Sequence, residues 1–145
     1  MTARRLALLV LLPVALAASG CGGSSGDDES GTPAVVEHVK GSNLERVRLT
    51  AEAARRIGVR TAVVQRAGTG NDLVIPYAAL LYDPDGNTWA YTSPKPLVFQ
   101  RQNVKVARID GNTVLLVKGP SPGTRVVTEG ATEIWGVEYG GIQED

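Results

Sequence analysis

Two runs, Leu73-Val-Ile-Pro-Tyr-Ala-Ala-Leu-Leu-Tyr82 followed by Asp83-Pro-Asp-Gly-Asn87 and Thr88-Trp-Ala-Tyr-Thr92, and then Asn103-Val-Lys-Val-Ala-Arg-Ile109 followed by Asp110-Gly-Asn112 and Thr113-Val-Leu-Leu-Val117, decide how this chain folds. Each places an Asp-Gly dipeptide between apolar, β-branched segments. Asp and Gly tolerate the positive φ that primed hairpin turns need, so the pattern predicts a β-hairpin, and it occurs twice. Gly119-Pro-Ser-Pro-Gly123 turns once more into Thr124-Arg-Val-Val-Thr128. The expected fold is mainly β: a small antiparallel barrel-like or sandwich-like domain with one short helix. Pro94 and Pro96 confine Ser93-Pro-Lys-Pro96 to a loop or a sheet edge.

Upstream, Arg46-Val-Arg-Leu-Thr50 alternates with period two, as a half-buried strand does. Thr50 is a plausible N-cap for the short helix Ala51-Glu-Ala-Ala-Arg-Arg-Ile57, which Gly58 closes. Glu52 sits in its first turn and can pair with Arg56. Leu49, Ile57 and Val59 are expected to hold this helix on the sheet, because two turns are not stable alone. Val59 to Gln65 reads as a strand, and Ala67-Gly-Thr-Gly-Asn-Asp72 as a polar loop. Ala34 to Val39 is either a short strand or more of the preceding tether. Ala131-Thr-Glu-Ile-Trp135 is either a strand or a helical turn, and residues 137–145 read as a loosely ordered tail.

The first residues carry a different signal. Arg4 and Arg5 precede an apolar run from Leu6 to Ala18, too short to span a bilayer comfortably and well suited to a secretory signal peptide. Ala18-Ser-Gly-Cys21 ends that run at the only cysteine of the 145-residue chain. It resembles the lipobox of bacterial lipoproteins, which implies cleavage before Cys21 and lipidation of its thiol. The expected layout is a signal peptide over 1–20, a lipidated Cys21 with a flexible tether over 21–42, a β domain over 43–136 and a tail over 137–145. Gly22 to Pro33 contains no large apolar residue, so it cannot offset the entropy of ordering. A coil of that length spans about 20 Å, which would keep the domain near a membrane. More than one acyl chain makes such an anchor stable. Location is thus expected at the outer face of the cytoplasmic membrane. Without residues 1–20 the chain has 13 basic and 15 acidic side chains, a net charge of −2. That balance attracts neither nucleic acid nor an anionic surface.

Four segments resemble a known family. Leu49 to Val64 is similar to the opening of the mature part of periplasmic adaptor subunits, the membrane-fusion proteins of resistance-nodulation-division and related efflux pumps. Ile75-Pro-Tyr-Ala-Ala-Leu-Leu-Tyr82 with Thr88-Trp-Ala-Tyr91, Val104-Lys-Val106, and Gly123-Thr-Arg-Val-Val-Thr-Glu-Gly-Ala131 resemble successive motifs of the same subunits. The resemblance implies their membrane-proximal β domain, which that family assembles from both ends of its chain. Here the barrel, lipoyl-like and helical-hairpin domains inserted between those ends would be replaced by the six residues Ala67–Asp72. It also implies contact with an inner-membrane transporter of the resistance-nodulation-division or ABC type.

Chemistry is sparse. An enzyme needs a positioned nucleophile, an acid–base pair or a metal. His38, the only histidine, stands beside the tether and reads as a solvated imidazole. Asp83-Pro-Asp-Gly-Asn87 lacks the later bidentate glutamate of a calcium loop, and turn chemistry accounts for it. Gly68-Thr-Gly70 has no lysine at the offset of a phosphate loop. Met1 is the only methionine, against the methionine ligands of metal-exporting adaptors. No catalysis, cofactor or metal is expected. Trp89 is expected in the core, while Trp135 and Tyr139, next to glycines near the end of the chain, are candidate partner contacts. Arg101, Lys105 and Arg108 read as a solvated strand face. An alternative function, a receptor for a small ligand or envelope component, would need an apolar cavity lined by residues such as Leu80, Tyr82 and Trp89.

Overall fold

Eleven strands and two helices make up the described part of the computed structural model, residues 32–68 and 70–140. Cys21 and the expected signal peptide lie outside the described residues. The order is β1 (Ala34–His38), β2 (Glu45–Leu49), α1 (Ala51–Arg56), β3 (Arg60–Val63), β4 (Gln65–Arg66), β5 (Leu73–Pro76), a 3-10 turn at Tyr77–Ala79, β6 (Leu81–Tyr82), β7 (Thr88–Lys95), β8 (Val98–Asn103), β9 (Lys105–Asp110), β10 (Thr113–Lys118), β11 (Arg125–Glu129) and α2 (Ala131–Gly140). All pairings are antiparallel. One sheet runs β1-β2-β8-β7-β11-β3, with β6 also on β7; the other runs β4-β5-β10-β9, and neither closes on itself.

Both Asp-Gly signals form hairpins. Gly86 at φ +83° and Gly111 at φ +55° adopt the backbone that glycine allows without strain. The first joins β6 to β7, pairing Tyr82 with Thr88; the second joins β9 to β10, pairing Asp110 with Thr113.

Three tight connections carry the chain from one sheet into the other. β3 becomes β4 at Val64 and β8 becomes β9 at Val104, and both valines turn fully inward. β5 reaches β6 through the 3-10 turn, where Ala79 is fully buried. These corner residues join Ile75, Leu80, Ala90, Val114, Leu116 and Val126 in a core between the sheets. The opposite face of the larger sheet has its own core, in which Val47, Leu49, Tyr91, Phe99 and Val127 pack beneath Ala54 of α1 and Ala131 and Ile134 of α2. Strand period two explains how neighbours serve different cores: Ala90 and Val126 face one, Tyr91 and Val127 the other. Burying a side chain such as Ile134 stabilises by about 1.5–3 kcal/mol, enough to hold helices that would not form alone.

α1 matches its expected ends. Thr50 Oγ1 accepts from the Ala53 N–H at 3.1 Å, and the Arg56 guanidinium donates to Glu52 at 2.6 Å. At the other end Val59 N–H donates to Ala54 O and Gly58 N–H to Arg55 O, a Schellman closure that uses Gly58 at φ +69°.

Several elements depart from the sequence expectation. Residues 34–38, placed within the tether over 21–42, pair with β2 along their whole length, so that boundary cuts through a hairpin. The stretch from Ala131, left open between strand and helix, is helical, and α2 continues through residue 140, past the boundary expected at 136. Val98–Asn103 is a strand that the two prolines obscured. The β7–β8 hairpin turns on Pro96-Leu97, with Leu97 at φ +61° and Lys95 facing Val98 across the turn. A register shift between Thr92 and Lys95 accommodates Pro94, so the expected edge proline sits at a bulge. Arg101, Lys105 and Arg108 do not share a strand face. Arg101 lies on β8, whereas Lys105 and Arg108 lie past the Val104 corner on β9, an edge strand whose charges discourage further pairing.

The polar loop Ala67–Asp72 joins β4 to β5, which pair directly through Gln65–Val74 and Arg66–Leu73. The segments before it are integral to the fold: β3 pairs with β11 from Arg60–Glu129 to Val63–Arg125, and β2 pairs with β8.

Candidate partner-contact site

Tyr91 and Trp89, two residues apart on β7, present the same face toward α2. Arg101 pairs across with Tyr91 and shares that face with Phe99. Above them α2 presents Ile134 and Glu138, one turn apart, as its buried stripe. The next stripe is Trp135 and Tyr139, whose rings stack at 5.3 Å with an interplanar angle of 14°.

Arg101 knits the two layers together. Its guanidinium carbon stands 4.6 Å from the Trp89 ring centre, 4.9 Å from that of Tyr139 and 6.0 Å from that of Trp135. Its Nη1 donates to the Tyr139 hydroxyl. Nε lies 2.7 Å from Glu138 Oε1, an ionic contact in which the N–H is not aimed along the line to the oxygen. The Glu138 side chain is only 2% exposed and that of Arg101 13%, so the pair sits in a low-dielectric setting. Glu138 Oε2 accepts the Tyr91 hydroxyl. Burial, and then the hydrogen bond to Glu138 and its charge, push the Tyr91 phenol well above its ordinary range, with Arg101 pulling weakly the other way.

Trp89, expected in the core, is half-buried at the margin of this cluster, and its Nε1 donates to Asp83 Oδ2 at 3.0 Å. Asp83 is fully engaged as a turn residue. Oδ1 accepts from the backbone of Asp85 and Asn87, and Oδ2 also accepts from Asn87 Nδ2. Desolvation works to raise its pKa, but the bonds from Asn87, Trp89 and the Asp85 backbone outweigh it and hold the carboxyl below its ordinary value. A carboxylate so occupied is a turn anchor, as the sequence suggested.

Of the two candidate contact residues, Tyr139 is 56% exposed and Trp135 half-buried beneath it. Arg101 and Glu138 complete the cluster and were not singled out from sequence as part of a site. The available signal was the i, i+4 spacing of Ile134/Glu138 and Trp135/Tyr139, visible once 131–140 is read as a helix. Trp, Tyr and Arg are the residue types that most often anchor interfaces, and here all three meet, with Tyr139 the exposed member. His38 pairs with Glu45 at 3.1 Å across the β1–β2 hairpin. Leu80 is core, Tyr82 is half exposed, and the linings of the two pockets described among residues 32–68 and 70–140 do not include Leu80, Tyr82 or Trp89.

Residues 71–133 match the family model described as RND MFPs, C-terminal permuted SH3 domain, that is, the membrane-fusion proteins of resistance-nodulation-division systems. Over residues 71–133 the chain is thus similar to the membrane-proximal domain of efflux adaptors. The match begins just before β5 and ends in the first turn of α2. The membrane-fusion-protein segment therefore contains Trp89, Tyr91 and Arg101, while Trp135, Glu138 and Tyr139 follow it. No curated protein and no solved structure matches the chain.

Proposed function

We propose that the protein is a lipid-anchored accessory of a membrane transporter, acting by protein–protein contact outside the cytoplasm and without turnover. The observation that carries this reading is the membrane-fusion-protein match over 71–133, which supports an efflux-adaptor-like function. The pairing of β2 and β3 with β8 and β11 adds to it, because an adaptor module built from two chain segments needs those segments in one sheet. In this reading Cys21 is the acylated residue, residues 22–33 are the tether, and the transporter is of the resistance-nodulation-division or ABC type. Trp135 and Tyr139, braced by Arg101, are the contact surface.

The mechanism is docking. A rigid aromatic and guanidinium patch loses little side-chain entropy on binding, because stacking and ion pairing already fix its rotamers. Affinity capture of the full chain from intact membranes after mild cross-linking tests the reading. Recovery of an integral transporter subunit is expected; repeated capture with no such subunit contradicts it.

A further inference from the structure

The helix-side face of the larger sheet is only partly covered. α2 covers part of it, and between α1 and the tip of the β7–β8 hairpin an open groove of about 960 Å³ remains. Its apolar lining comes from Ala54, Val59, Leu97 and Phe99. Its charged lining is of one sign: Arg55, Arg60, Lys95 and Arg125 contribute, and no Asp or Glu does among the described residues. The whole chain has 15 basic and 15 acidic side chains, so this segregation is local and not a consequence of composition. Arg60 is paired with Glu129 at 3.1 Å. Arg55, Lys95 and Arg125 are exposed and form no ion pair among the described residues.

We propose that this groove is a docking site for an acidic, amphipathic peptide segment of a partner protein, which lays apolar side chains on the partly buried Val59 and Leu97 and carboxylates against Arg55, Lys95 and Arg125. The cations stand on three separate elements, α1, β7 and β11, around an apolar floor. That arrangement suits several carboxylates spaced along a chain better than a single phosphate headgroup, which favours cations that converge. The hairpin wall is preset. Pro96 and the positive-φ Leu97 fix the turn, Leu97 O accepts from the Leu49 N–H at 2.9 Å, and Ser93 Oγ bonds Lys95 O at 3.0 Å. A wall held in place before binding lowers the ordering cost of association. The groove is formed by residues apart from the Arg101 cluster, and the inference does not rest on the transporter reading.

Selection of a displayed random-peptide library against the full-length chain tests it, with phosphatidylglycerol vesicles as a parallel probe. The enriched pool is expected to be acidic with interspersed apolar residues. Its binding should weaken at least about tenfold in Arg55→Glu/Arg125→Glu. Both positions are exposed, and circular dichroism and a melting curve matching the parent establish that the variant folds. Lys95→Glu, tested alone, should weaken binding in the same direction. Raising salt from 0.15 M toward 1 M, which shortens the Debye length from about 8 to 3 Å, should also weaken it. Failure to enrich, a pool without acidic bias, or binding unchanged by the charge reversals overturns the proposal. Binding of vesicles with no peptide enrichment overturns it in favour of a lipid site. An acidic pool obtained while membrane capture yields no transporter would leave the groove standing and the transporter reading refuted.

Discussion

Glu138 is buried near the end of a helix, and two groups face its carboxyl: Arg101 at 2.7 Å and the Tyr91 hydroxyl. Removing one member of a buried pair leaves the other uncompensated, so Glu138→Ala is expected to destabilise by about 3 kcal/mol in urea unfolding. Arg101→Met added to Glu138→Ala should recover part of that loss, because no lone charge then remains. Tyr91 gives a pH prediction. Its folded pKa is raised above the ordinary value of 10.0, so the protonated phenol favours the fold. Its contribution is fully present below pH 10 and is lost as pH rises beyond it. Tyr91→Phe should therefore lose stability less steeply than the parent between neutral pH and pH 11 or so, read as the midpoint of urea unfolding. An identical slope in the two proteins would contradict this account. None of this was legible residue by residue. Glu138 carries no local signal of its own, because nothing in a linear sequence places Arg101 opposite Tyr91.

At the scale of elements, strands with local turn chemistry were readable and those defined by distant partners were not. The two Asp-Gly hairpins and the Thr50 cap form as expected, since each is specified within a few residues. β8 was hidden by Pro94 and Pro96, whose effect a bulge and a two-residue turn absorb. α2 was hidden by its composition. Gly136 and Gly140 lower its helix propensity by up to about 1 kcal/mol each, and only burial of Ala131, Ile134 and Glu138 restores it. The junction into α2 is correspondingly strict. Gly130 has φ +81°, and a Cβ there would stand 3.2 Å from Val59 Cγ2 and 3.4 Å from Ile57 O. Gly130→Ala is expected to cost about 1–3 kcal/mol in thermal or urea unfolding. A cost near zero would mean that the β11–α2 turn relaxes freely, against the packing of α2 on the sheet.

For the whole molecule, the arrangement follows from one topological fact: strands from before and after the loop Ala67–Asp72 interleave in a single sheet. β4 and β5, which flank this loop, are hydrogen-bonded neighbours, so six residues suffice to join them. The second core beneath the helices was less visible, because a strand buried on both faces, such as Ala90-Tyr91 or Val126-Val127, loses the alternation that marks a half-exposed one. The same topology leaves two surfaces of different chemistry, the Tyr139 patch and the basic groove, on the helix side. The transporter reading concerns the first. Its most direct test is site-specific photo-cross-linking from position 139 in membranes, with position 117 on β10, also half exposed, as the control. The account predicts a cross-link to an integral transporter subunit from 139 and none from 117; no transporter adduct from 139, or equal adducts from both, would contradict it.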